Sequence, residues 1–154
     1  MTRLHVHVSV ENIEKAIPFY SALFASEPAI VKSDYAKWML DDPRVNFAIS
    51  TRGNTPGLDH LGIQVEDKEE LQEIYGRLRR AGGSVLEVGP TTCCYATSEK
   101  SWIDDPAGIA WEAFLTTGES TTYGDSSKAE SGARIAHAKG CCTPRQDQFA
   151  SACC

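Results

Sequence analysis

The sequence predicts an α+β fold made of two βαβββ modules in one chain, and three observations predict it. A strand-like alternation runs into a helical periodicity twice, in "LHVHVSVENIEKAIPFYSALFAS" and again in "DHLGIQVEDKEELQEIYGRLRRAGG". The two copies align at a constant offset of 55, which puts His60 under His5, Val65 under Val10, Tyr75 under Tyr20 and Leu78 under Leu23. After Leu115 the composition changes to Gly, Ser, Thr and Ala with few large apolar residues.

Each element has a local reason. Residues 4 to 10 alternate like a half-buried strand. Asn12 then stands as an N-cap before Ile13, Ala16, Ile17, Tyr20, Leu23 and Phe24, which fall on one helical face. The short strands "AKWML" and "VNFAIS" follow, split by the turn signal "DDPR". In the second copy the helix leads to "SVLEVGP", "CCYATSE", "SWIDD" and "AWEAFL", each short enough to be a strand. The expected modules cover about residues 1–53 and 56–116. Residues 117–154 are expected to form a disordered, cysteine-containing tail, because so few large apolar side chains cannot offset ordering entropy.

The totals exclude several classes. A net charge of −6 does not provide the basic face that nucleic acid requires. No apolar run reaches the roughly 18 residues of a membrane span, and "MTRLHVHVSV" enters a strand pattern rather than a signal peptide. A cytoplasmic protein is expected, acting as a monomer or homodimer, with neither nucleic acid nor membrane as partner. Thiols stay reduced there. The six cysteines form three adjacent pairs, Cys93-Cys94, Cys141-Cys142 and Cys153-Cys154, which is not the spacing of a disulfide scaffold or a zinc finger. Adjacent thiols suit one soft ion. A strained disulfide between neighbours, or one buried and one inert thiol, are the structural alternatives.

Candidate metal ligands come from the repeat. His5 and His60 hold equivalent places on the first strand of each copy, and Glu112 lies on the last strand of the second. If the copies are related by a pseudo-twofold, two imidazoles and one carboxylate face one point. His7 shares the face of His5 because strand side chains repeat every two residues. His5 is preferred since it aligns with His60, whereas His7 aligns with Gly62. Matching "VNFAI" to "AWEAF" puts Phe47 in the slot of Glu112, so a second carboxylate is missing. Two His, one carboxylate and open positions is the arrangement of non-haem Fe(II) oxygenases, though Mn(II) and Zn(II) also bind such sites.

The repeat, with His5, Val10, Ile13, Phe19-Tyr20 and Asp59-His60-Leu61-Gly62-Ile63, resembles the vicinal oxygen chelate superfamily of glyoxalases, bleomycin resistance proteins and extradiol dioxygenases over about residues 1–116. That resemblance implies two half-barrels enclosing a cavity. Within the superfamily, Thr91-Thr92-Cys93-Cys94-Tyr95-Ala96, Lys100-Ser101-Trp102 and Trp111-Glu112 resemble the organoarsenical C–As lyases and the similar cadmium-induced proteins. The resemblance implies that Cys93 and Cys94 hold a trivalent organoarsenical, methylarsenite or an aromatic one. His5, His60 and Glu112 are then metal ligands and catalytic residues holding Fe(II), and with O2 the carbon–arsenic bond is broken to release inorganic arsenite. In those lyases the first-strand ligand can be Gln, whereas here it is His5. Cys141, Cys142, Cys153 and Cys154 are possible accessory capture thiols. Two alternatives stay open: a non-enzymatic cadmium- or arsenite-binding protein, and a glyoxalase-like metalloenzyme, which leaves the paired cysteines unexplained.

Overall fold

A computed structural model describes residues 2–53, 55–82, 86–93 and 95–119, with the backbone alone for 86–89, 91–93 and 119. The elements are β1 (Arg3–Ser9), α1 (Ile13–Phe24), β2 (Ile30–Val31), β3 (Tyr35–Asp41), β4 (Arg44–Ser50), β5 (Gly57–Val65), α2 (Lys68–Arg80), β6 (Leu86–Cys93), β7 (Ala96–Asp104) and β8 (Ala110–Glu119). They form an α+β fold with one mixed eight-stranded sheet in the order β2-β3-β4-β1-β5-β8-β7-β6. Each half of that order carries the same connectivity. β1 pairs in parallel with β4, and β5 pairs in parallel with β8, while β1 and β5 meet antiparallel at the seam.

The repeat offset is visible in the caps and in the register. Asn12 accepts from the Lys15 amide and Asp67 from the Glu70 amide, so both helices start on an oxygen that satisfies an orphan N–H, at positions 55 apart. At the seam His5 lies opposite Gly62 and His7 opposite His60. A shift of 55 turns the first pair into the second, as a twofold between two copies requires.

Both helices cover one face of the sheet. Ala36, Trp38, Leu40, Phe47 and Ile49 pack with Ile13 beneath α1, and Tyr20 and Phe24 meet Trp38 and Phe47 at tilted or edge-on angles. Val65, Ala113 and Leu115 pack with Leu71, Ile74 and Tyr75 beneath α2. The alternate residues point to the other face, where Tyr35, Ala48, Trp102 and Ala110 form a separate cluster. Four strands separate β3 from β7 in the sheet, yet Tyr35 of β3 and Trp102 of β7 share that cluster. The sheet therefore curls around this face and leaves a cleft inside.

Two expectations need correction. The second copy has three strands after its helix, not four, because β7 runs unbroken through "ATSEKSWID". Cys93 therefore does not open a strand. Cys93 closes β6 and pairs with Ala96, and Tyr95 takes a left-handed φ of 61° that helps reverse the chain. Strand β8 also continues to Glu119, past the expected boundary at 116. Cys94 and the tail cysteines Cys141, Cys142, Cys153 and Cys154 lie outside the described residues.

Candidate metal centre

The cleft has a volume of about 40 Å³, and its walls include His5, His7, Asn46, Lys100, Glu112 and Phe114. His5, His7, His60 and Glu112 are all buried, none more than 6% exposed. Four polar side chains on the inner face of a sheet are costly there unless they are partnered. The register explains how they meet. His7 faces His60 directly across the seam with ring centres 4.8 Å apart, and His5 lies on the diagonal at 5.2 Å. Glu112 arrives from the next strand, where it pairs with Gly62.

His5, His7 and His60 form a possible metal site, each offering a ring nitrogen within 4.8 Å of the others. The second nitrogen of each ring distinguishes them. His5 Nδ1 lies 3.0 Å from the Asn46 carbonyl oxygen, and His60 Nδ1 lies 2.6 Å from Asp59 Oδ1. Both rings then turn Nε2 toward one atom, Glu112 Oε2, at 4.0 Å from His5 and 3.6 Å from His60. His7 is turned the other way round, with Nε2 2.9 Å from Ser50 Oγ. The three residues singled out by the repeat, His5, His60 and Glu112, thus converge, and His7 stands beside them as a fourth member that the alignment set aside.

Two further groups, quoted in the sequence motifs without a role, join the centre. Lys100 Nζ makes an ion pair with Glu112 Oε1, and both side chains are buried. Oε2 is left to face the imidazoles. Asp59 backs His60, and its other oxygen accepts from Ser9 Oγ at 3.1 Å. The signal for Asp59 was its place next to a candidate ligand, and Lys100 stood out only as part of the Lys100-Ser101-Trp102 motif, with no role assigned to it.

The charges are set by this packing. Burial works against a charge on His60, but hydrogen bonds to Asp59 and Glu112 outweigh it and hold its pKa up at about 10. Burial likewise opposes ionisation of Glu112, yet Lys100 and His60 prevail and hold it down at about 2. Asp59 is lowered too, against its own burial, by the hydrogen bond to His60. Without an ion the cleft therefore keeps a proton on His60 between two carboxylates. The donor set fits a divalent first-row cation in that place: two buried imidazole nitrogens and a carboxylate oxygen, with the other carboxylate oxygen neutralised by Lys100.

The slot matching Glu112 in the first copy is corrected by the register. His7 pairs with Ala48 as Gly62 pairs with Glu112, so Ala48, not Phe47, is the counterpart. Phe47 packs against α1 on the other face. No second carboxylate stands there, as expected.

Cys93 is tied to the cleft through its backbone partner Ala96, which lines it. Tyr95 anchors that connection to the first copy. Its hydroxyl donates to Asp34 Oδ1 at 2.5 Å, its ring lies 5.7 Å from that of Tyr35, and Asp34 also pairs with Arg52.

Residues 2–113 match the family described as Glyoxalase/Bleomycin resistance protein/Dioxygenase superfamily. The chain is 40% identical, over all of its length and 91% of the relative's, to a trivalent organoarsenical cleaving enzyme of Bacillus sp. (strain MD1). It is 33% identical to one from Thermomonospora curvata, over 99% of this chain and 95% of that one. A cadmium-induced protein, CadI, of Mycobacterium bovis is 37% identical over 80% of this chain and 82% of its own. Among solved structures, the Mn(II)-bound glyoxalase of Novosphingobium aromaticivorans superposes with a TM-score of 0.55 at 14% identity, over 78% of this chain and 42% of that one. A Streptomyces coelicolor methylmalonyl-CoA epimerase does so with 0.52 at 17% identity, over 74% and 96%. At those identities the superpositions speak for the fold alone. The two-copy sheet, the buried histidine cluster and these relatives lead to one conclusion: the chain belongs to the glyoxalase/bleomycin resistance/dioxygenase superfamily.

Proposed function

We propose that the protein is an Fe(II)- and O2-dependent lyase that cleaves the carbon–arsenic bond of trivalent organoarsenicals, releasing inorganic arsenite. The observation that carries this reading is the convergence of His5 Nε2 and His60 Nε2 on Glu112 Oε2 in a buried cleft, with Ala48 where a fourth ligand would stand. Relatives named trivalent organoarsenical cleaving enzymes, at 33% to 40% identity, support the substrate class.

The residues divide the work. His5, His60 and Glu112 would hold Fe(II), which when bound supplies redox chemistry with O2. Lys100 keeps Glu112 ionised and commits one of its oxygens. Cys93 and Cys94 hold the arsenic through sulfur, which suits a soft, thiophilic atom. Fixing the arsenic through sulfur would hold its carbon substituent in place, turning an encounter into a neighbouring-group reaction. Phe114, edge-on to His5 at 5.2 Å, and Trp102, edge-on to His60 at 5.0 Å, wall the imidazoles with apolar surface and limit water.

The test is arsenic speciation. Reduced, Fe(II)-loaded protein is incubated with methylarsenite in air and under argon. Inorganic arsenite is expected only in air, and Glu112→Ala should abolish it while retaining arsenical binding. A second reading, sequestration of a soft ion, is favoured by the relative named cadmium-induced protein and by the paired thiols. Tight binding without conversion in either atmosphere would decide for it.

A further inference from the structure

We propose that Asp59 is a positioning residue for the metal centre: it fixes His60 in the tautomer that turns Nε2 toward Glu112, and it strengthens that nitrogen as a donor. This rests on the metal-centre reading given above and extends it beyond the ligands.

The geometry leaves His60 one choice. Its Nδ1 lies 2.6 Å from a carboxylate oxygen of Asp59, a pure acceptor when ionised, so Nδ1 carries the hydrogen. Nε2, which faces Glu112 Oε2 at 3.6 Å, is then the nitrogen whose lone pair is freed once a cation displaces the proton held there. Asp59 is itself held. Its second oxygen accepts from Ser9 Oγ, and Ser9 is buried under the connection between β4 and β5. At Gly53 in that connection a Cβ would sit 1.7 Å from Ser9 Oγ, so the backbone presses directly on the serine. The support runs from a loop to the donor atom: Gly53 confines Ser9, Ser9 fixes Asp59, and Asp59 sets His60.

The two imidazoles are not equivalent donors as a result. His5 is backed by a neutral backbone carbonyl oxygen, that of Asn46, while His60 is backed by an ionised carboxylate. A carboxylate behind a histidine raises its basicity as a ligand, and losing such a partner costs about 10–100-fold in metal affinity. His60 is assigned as the firmly held ligand and His5 as the more readily released one.

The test uses Co(II), whose affinity is measured by competition with a chromophoric chelator for the full chain and its variants. Asp59→Ala is expected to weaken binding about 10–100-fold, and Asp59→Asn, which keeps an acceptor but not the charge, to fall in between. In the Co(II)-loaded protein the His60 Nδ1–H should give a paramagnetically shifted proton resonance that exchanges slowly, and Asp59→Ala should lose it. A merely structural loss would not remove that signal selectively. Binding by Asp59→Ala within about twofold of the unchanged protein, or a surviving resonance, overturns the proposal. Should Asp59→Ala fail to fold, Asp59→Asn and Ser9→Ala decide, since both must weaken binding. Failure of the underlying reading looks different: the unchanged protein takes up no Co(II), or Glu112→Ala binds it equally well, and either result removes both.

Discussion

A single methyl group at Gly62 should move the centre apart. Gly62 lies between two of the groups it separates, opposite His5 on one side and Glu112 on the other. A Cβ built there meets the Glu112 carbonyl oxygen at 2.6 Å and the Glu112 Cβ at 3.3 Å. Ordinary contact begins near 3.4 Å, so β8 must retreat by about 0.8 Å at the residue that carries the carboxylate. Metal–ligand distances tolerate about 0.2 Å, and a site loosened by 1 Å is a common way to lose function. Gly62→Ala should therefore lower metal affinity sharply. Overpacking between paired strands costs about 1–3 kcal/mol, against about 0.4–1 kcal/mol returned by removing a glycine from the unfolded chain. The net loss should be about 1–2 kcal/mol. Chelator competition and urea unfolding measure the two effects, and Gly118→Ala on β8, where nothing lies within 4 Å of the added carbon, is the control. Unchanged Co(II) affinity in Gly62→Ala, with unchanged stability, would refute the reasoning.

Lys100→Met removes one partner of a buried ion pair and should cost the metal-free protein about 3 kcal/mol, read by urea unfolding, with a smaller loss once a divalent ion neutralises Glu112. The metal-free protein should also lose stability as pH rises. His60 has a folded pKa raised from 6.5 to about 10, so its contribution is complete below about 6.5 and disappears as pH climbs through 10. Thermal melts from pH 7 to 10 with chelator present check this, and the metal-loaded protein should show a flatter profile. Tyr95→Phe deletes the bond to Asp34 at a half-buried position and should cost about 1 kcal/mol by the same unfolding measurement.

Much of the frame was legible because the copies keep a constant spacing. The offset of 55 placed both helices and put His5 and His60 at equivalent positions, while Asn12 was read as a cap from its own context and Glu112 from its place on the last strand. It failed at Phe47. The loops before β4 and β8 differ in length, so the offset does not carry into those strands, and a one-residue error in a strand swaps the face. His7 was visible as a same-face neighbour, but an alignment that favours one histidine says nothing about where the other's ring turns. Lys100 and Asp59 act through contacts that no local pattern encodes. The turn after Cys93 escaped because Tyr95, not a glycine, takes the left-handed conformation there.

The seam has a consequence for the cell. His5 belongs to one copy of the repeat, His60 and Glu112 to the other, so an ion held among them is also a clasp between two halves, added to the strand pair at the seam, the Tyr35–Trp102 cluster and the Tyr95–Asp34 hydrogen bond. An ion at a hundred times its dissociation constant would add about 2.7 kcal/mol to cohesion of the whole. Starvation for that metal would then idle the protein and also thin its numbers, as the unclasped halves open to proteolysis.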